Sequence, residues 1–137
     1  MPRRRCACWL AVLVASAALG SAVAGESFPF GSELMLDVGP MVGSKRIPML
    51  EIEDDGTASI DLWCSSLHAQ ATIADDSITI VPGQLASGGQ AAQCDPGRQS
   101  SDATLLAALA EATKWRRHGD VVELSGATTL RYRLMTN

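Results

Sequence analysis

Aromatic rings and basic side chains are both scarce in this chain, and each shortage excludes something. Aromatics make up 4% of 137 residues. The core must therefore be aliphatic and alanine-rich, and it can leave an internal cavity. Eleven Lys and Arg stand against 15 Asp and Glu. Three of those bases, Arg3, Arg4 and Arg5, fall in the first 24 residues, which leaves eight bases to 15 acids and a net charge of −7 beyond that point. Phosphate contacts need Lys and Arg, so nucleic-acid binding is not expected. No G-x-S-x-G elbow and no twelve-residue calcium loop is present. Repeats, low-complexity tracts and linkers are also missing.

One apolar run is present, at the beginning. Pro2 to Arg5 is a basic stretch, Cys6 to Gly20 is apolar, and Ala22-Val23-Ala24 is a small-x-small cleavage pattern. This reads as an export signal over residues 1–24, followed by one domain over 25–137. The run is shorter than the roughly 20 apolar residues a bilayer span needs, so the protein is not expected to span a membrane. Cys6-Ala7-Cys8 continues the Arg4-Arg5 pair poorly as a twin-arginine motif, which favours the ordinary secretory route. Neither leader cysteine is placed for a lipoprotein anchor. The expected location is periplasmic or secreted. Cys64 and Cys94 remain, two thiols in an oxidising compartment, and read as one structural disulfide. Closing a loop of about 30 residues is worth about 3–4 kcal/mol in the chain-entropy model.

Along the domain, period-two alternation predicts strands. Leu34, Leu36 and Val38 share one face. Leu50 and Ile52 alternate with Glu51 and Glu53, and Asp54-Asp55-Gly56 makes a turn. Ala58, Ile60, Leu62 and Cys64 point inward from 57–64, with Trp63 outward. Leu67, Ala69, Ala71 and Ile73 follow, then a turn at 74–77 and a short strand to Val81, stopped by Pro82-Gly83. Residues 85–93 are small, polar and glycine-rich, an irregular or edge segment. One helix comes next, capped by Ser100 or Ser101 with Asp102 in its first turn. Its apolar stripe is Leu105, Leu109 and Ala112, widened by Leu106 and Ala108. Val121 to Leu124 and Thr129 to Leu134 close the chain. The fold class is mainly β (α+β): a small, strongly curled antiparallel sheet or cracked barrel, with one helix covering an open side.

The order of these features resembles the META domain, the family of HslJ-like heat-shock proteins. The resemblance is carried by DDGTASIDLWCSS (54–66), GQLASGGQAAQC (83–94), SSDATLLAALAEATKWRRHGD (100–120) and VVELSGATTLRYRL (121–134). Trp63 stands where the family usually has glycine, and Ser65 where it has asparagine. The opening strand has no Trp. The resemblance implies an exported or envelope-associated domain linked to stress tolerance, drug tolerance or motility, without agreed catalytic residues. It also extends to small cracked-barrel proteins that help assemble secretion machinery.

Candidate chemistry is thin. Cys64, His68, Cys94 and His118 do not form a credible zinc set. On one strand Cys64 and His68 would stand about 13 Å apart at 3.3 Å per residue, whereas zinc ligands lie about 2.0–2.3 Å from the metal. Ser65, Ser66 and His68 with Asp61 or Asp75 do not amount to a triad. No metal and no cofactor is expected. The possible contact surface is Trp63, which the N-terminal Phe28 and Phe30 are expected to cover, and a basic group of Arg116, Arg117, Arg131 and Arg133. The resulting expectation is a monomeric, non-enzymatic envelope interaction or stress-tolerance protein whose partner is an envelope protein or lipid. One alternative is a small-ligand or lipid carrier with a cracked-barrel cavity. Another is a small protease inhibitor using residues 84–93.

Overall fold

A computed structural model describes residues 26–84 and 94–136. The leader at 1–24 and the segment 85–93 lie outside the described residues. Eight strands run in chain order: β1 (Leu34–Leu36), β2 (Met49–Ile52), β3 (Thr57–Asp61), β4 (Ser66–Ala74), β5 (Ser77–Pro82), β6 (Lys114–His118), β7 (Val121–Ser125) and β8 (Thr129–Leu134). Each pairs antiparallel with its neighbour, and β8 returns to β1, closing a barrel. One helix, α1 (Pro96–Glu111), lies between β5 and β6.

The alternation in the sequence fixes which way each strand faces. Leu50 pairs with Ile60 and Ile52 with Ala58. Ile60 then meets Leu67, Ala71 meets Ile80, Val122 meets Tyr132, and Tyr132 meets Leu36. A slip of one residue at any of these would turn the apolar set outward. The interior is filled: Tyr132, Leu34, Leu50, Ile52, Ile60 and Ile78 are among its largest fully buried side chains. Each such burial contributes about 1.5–3 kcal/mol. Burial also pushes the Tyr132 phenol well above its ordinary pKa, because the phenolate would lose its water. Gly56 turns β2 into β3 at φ +89°, where a Cβ would also press on the Ala71 carbonyl.

The closure has a narrow seam. β5 and β6 share one aligned pair, Ser77 with Lys114, supported by bonds from Ile78 N–H to Thr113 O (3.1 Å) and Trp115 N–H to Asp76 O (3.0 Å). α1 packs across the barrel end where the odd-numbered strands finish. Leu105, Ala108, Leu109 and Ala112 are buried there. At the opposite end the lead-in crosses the barrel. Phe28 is buried, meets Trp115 edge-on at 5.2 Å and lies 5.0 Å from Phe30.

Several sequence expectations shift. α1 begins a turn earlier than the serines suggested, because Asp95 caps it and Pro96 supplies the first helical residue without needing an N–H partner. Asp102 is therefore in the second turn and buried. Val38 is not the third inward residue of β1. The strand stops at Leu36, Val38 N–H turns back to Leu36 O at 2.9 Å, and Val38 is 42% exposed. β3 ends at Asp61, although inward burial continues through Leu62 and Cys64. The sequence showed no strand at KWRRH, since Trp115 alone gives no alternation. Pairing along β7, from Lys114 with Ser125 to His118 with Val121, makes it β6. Phe28, with Phe30 packed against it, meets Trp115 rather than Trp63.

Gly126, in the turn after β7, lies against the end of α1. A Cβ there would overlap the Glu111 carbonyl. Gly126→Ala should lower unfolding stability by about 1–3 kcal/mol, the usual cost of overpacking. Gly39→Ala, which meets nothing within 4 Å, should change it by less than about 0.5 kcal/mol. Urea unfolding midpoints read the difference.

Candidate functional site

The chemistry of this fold collects around α1. Asp102 presents its carboxylate to the corner between β3 and β4. Its Oδ1 accepts from Trp63 N–H at 2.8 Å, and its Oδ2 accepts from Cys64 N–H at 3.0 Å and Ser65 Oγ at 3.1 Å. Asp102 is 6% exposed, so these are charge-assisted bonds sheltered from water. Cys64 of the same corner is joined by a disulfide to Cys94, directly before the Asp95 cap. The helix is thus tied to the corner twice, once covalently and once through a carboxylate. The serines near the corner are occupied by carboxylates. Ser65 donates to Asp102, while Ser66 donates to Asp61 (2.5 Å) and accepts from Arg46 (2.9 Å).

Holding a narrow helix across a wide barrel mouth leaves a groove on each flank. One, of about 680 Å³, runs between α1 and the ends of β1 and β8; its walls include Leu36, Val38, Trp63, Leu105, Ala107 and Leu130. The other, of about 500 Å³, lies between α1 and the ends of β3 and β5, with Leu62, Pro82, Leu106, Ala107 and Ala110. Both are mainly apolar, and both fall in the roughly 300–1,000 Å³ range of small-molecule sites. Ala107 is exposed and borders both. The barrel interior is packed, so the grooves lie outside it.

Trp63 is half-buried against the core and forms part of the larger groove. Its Nε1–H is shielded from water and has no acceptor among the described residues. The ring also borders a third recess of about 290 Å³, bounded by Ser44, Lys45, Arg46, the Cys64–Cys94 bridge and Arg98. Among the described residues no carboxylate lines that recess. Arg46 is 3.4 Å from Asp61, and Arg98 is 2.5 Å from Asp95. The Arg98 guanidinium holds the Asp95 carboxyl below the usual carboxylate range.

The arginines singled out in the sequence come together on β6 and β8, with β7 between them. Register places Glu123 between Arg116 and Arg131. Its Oε2 lies 2.7 Å from Arg116 and its Oε1 3.8 Å from Arg131. Arg133 pairs with Asp37 at 3.1 Å and Arg117 with Glu26 at 3.6 Å. Each of the four charges has an acidic neighbour, and barrel closure joins β8 to β1. Arg131 lines the larger groove together with Trp63, whereas Arg116 and Arg117 border a separate recess beside Glu26. Lys45, Arg46 and Arg98 were not singled out. The usable signal for Arg98 was Asp95-Pro96, a cap followed by a first-turn proline. Nothing in the 37–48 loop marked Lys45 and Arg46.

Asp102→Ala should cost about 3 kcal/mol or more, because it leaves two sheltered backbone N–H groups unpaired; denaturant unfolding with the disulfide intact measures it. Glu123 gives a pH signature. The hydrogen-bonded Arg116 holds its carboxyl below the ordinary value. The stabilisation is therefore full above the usual carboxylate range and fades as pH falls through the lowered value. Glu123→Gln should flatten the acid limb of a melting-temperature profile and leave its neutral-to-alkaline shape unchanged.

The chain is similar to a protein solved by NMR, with 19% identity, a TM-score of 0.56, and coverage of 75% of this chain and 88% of that one. At that identity the likeness shows the fold alone. No curated protein sequence matches the chain. Among the described residues no helix is long and apolar enough to cross a membrane. The META domain matches residues 32–137, spanning all eight strands, the helix and the disulfide, and the chain belongs to the META domain family.

Proposed function

We propose that this protein is an exported, non-enzymatic interaction domain of the cell envelope, and that its partner docks in the groove between α1 and the strand ends at Trp63. The observation that carries this reading is the apolar groove of about 680 Å³ beside a half-buried tryptophan. Grooves of this kind, with aromatic anchors, are where partners gain most from burial. Export is supported by the leader at residues 1–24 and by the disulfide, a bond that persists in oxidising compartments. The arginine group on β6 and β8 is a weaker candidate, since Arg116 and Arg117 lie away from this groove and Glu123 is shared by Arg116 and Arg131. The packed interior moves any carrier function out of the barrel and into the grooves. The inhibitor reading rests on residues 84–93, of which 85–93 lie outside the described residues.

A photocrosslinking residue at Ala107 should capture an envelope component in living cells, whereas one at Asp54, in the turn at the far end of the barrel, should not. Equal capture from both positions, or none from Ala107, would overturn the assignment.

A further inference from the structure

Resting on that reading, we infer that the groove takes a single-chain anionic amphiphile, a fatty carboxylate, with its chain along α1 and its head in the recess formed by Lys45, Arg46 and Arg98. Trp63 borders both cavities. On one side lies the apolar groove with Leu36, Val38, Leu105 and Leu130. On the other lies a recess lined by three cations and, among the described residues, by no acid.

That recess is unusual for a chain with more acids than bases. Asp61 and Asp95 do meet Arg46 and Arg98, but neither lines the recess. Lys45 is exposed and forms none of the described ion pairs. The guanidinium side chains are 34% and 24% exposed, sheltered enough for their field to be less screened than at an open surface. Arg98 is in the first turn of α1, where the helix end also favours an anion.

The cations that line the recess favour a carboxylate head over an uncharged glycerol or sugar head. Guanidinium groups recognise a carboxylate through paired N–H donors. A polar head or an apolar chain alone would use one cavity. An amphiphile uses both, and Trp63 is the side chain they share.

The test is isothermal titration of the exported protein with myristate and with monomyristoyl glycerol, both below their aggregation concentrations. Myristate should bind at least about fivefold more tightly than the neutral lipid, the scale of one favourable charge contact of about 1 kcal/mol. Lys45→Glu should weaken myristate by at least that factor and leave the neutral lipid unchanged. Ala107→Trp should abolish binding of both; Thr104→Trp, an exposed wall of the same groove, should reproduce the loss if the first variant melts abnormally. Equal affinities for the two lipids, or indifference of myristate to Lys45→Glu, would overturn the head assignment. No binding of either lipid would overturn the whole inference. Partner capture from Ala107 persisting in either case would leave the interaction reading standing.

Discussion

The Asp102 carboxylate is the contact on which the arrangement of the helix depends. Its two oxygens take the backbone N–H groups of Trp63 and Cys64 and the Ser65 hydroxyl, at 2.8–3.1 Å. These backbone groups belong to a corner between strands, so no ladder partner is available for them, and a buried N–H left unpaired costs about 1–3 kcal/mol. α1 has limited means to hold its place by burial alone, since only Leu105 and Leu109 are large among its buried side chains. The Cys64–Cys94 bridge fixes its start, and the close approach of Gly126 to Glu111 fixes its end. Between those points Asp102 sets which way the helix faces.

The binding geometry follows from that placement. A barrel lined by aliphatic side chains and one tyrosine is small enough to fill completely, and it does fill. The space that remains is where a cylinder crosses a ring of strand ends, and this leaves recesses along both flanks. Alanine at Ala103, Ala107 and Ala110 keeps them open. The scarcity of large side chains therefore emptied the outside of the mouth and not the lumen.

Charge is distributed by the same topology. Closing the barrel brings β6, β7 and β8 side by side, and Glu123 becomes the shared acid of two arginines. Arg133 reaches Asp37 only because β8 joins β1. The arginines that stand out in the sequence are neutralised locally. A loop lysine gathers at Trp63, beside the disulfide, with two arginines from separate segments that are themselves paired with Asp61 and Asp95.

The sequence by itself determined the strand faces, the disulfide pair, the acidic balance and the presence of one late helix. These are local or compositional properties, and period two is written within each strand. It did not mark β6, whose Lys-Trp-Arg-Arg-His run pairs without an apolar face, nor the true start of α1, where Asp95-Pro96 outweighed two later serines. Nor could it show that Phe28 meets Trp115 or that Asp102 meets Trp63. Those pairings, the closure of β8 on β1 and the meeting of Lys45, Arg46, Arg98 and Trp63 were decided only by tertiary structure. They join residues far apart in the chain, and only barrel closure and a helix held across the mouth bring such residues within reach.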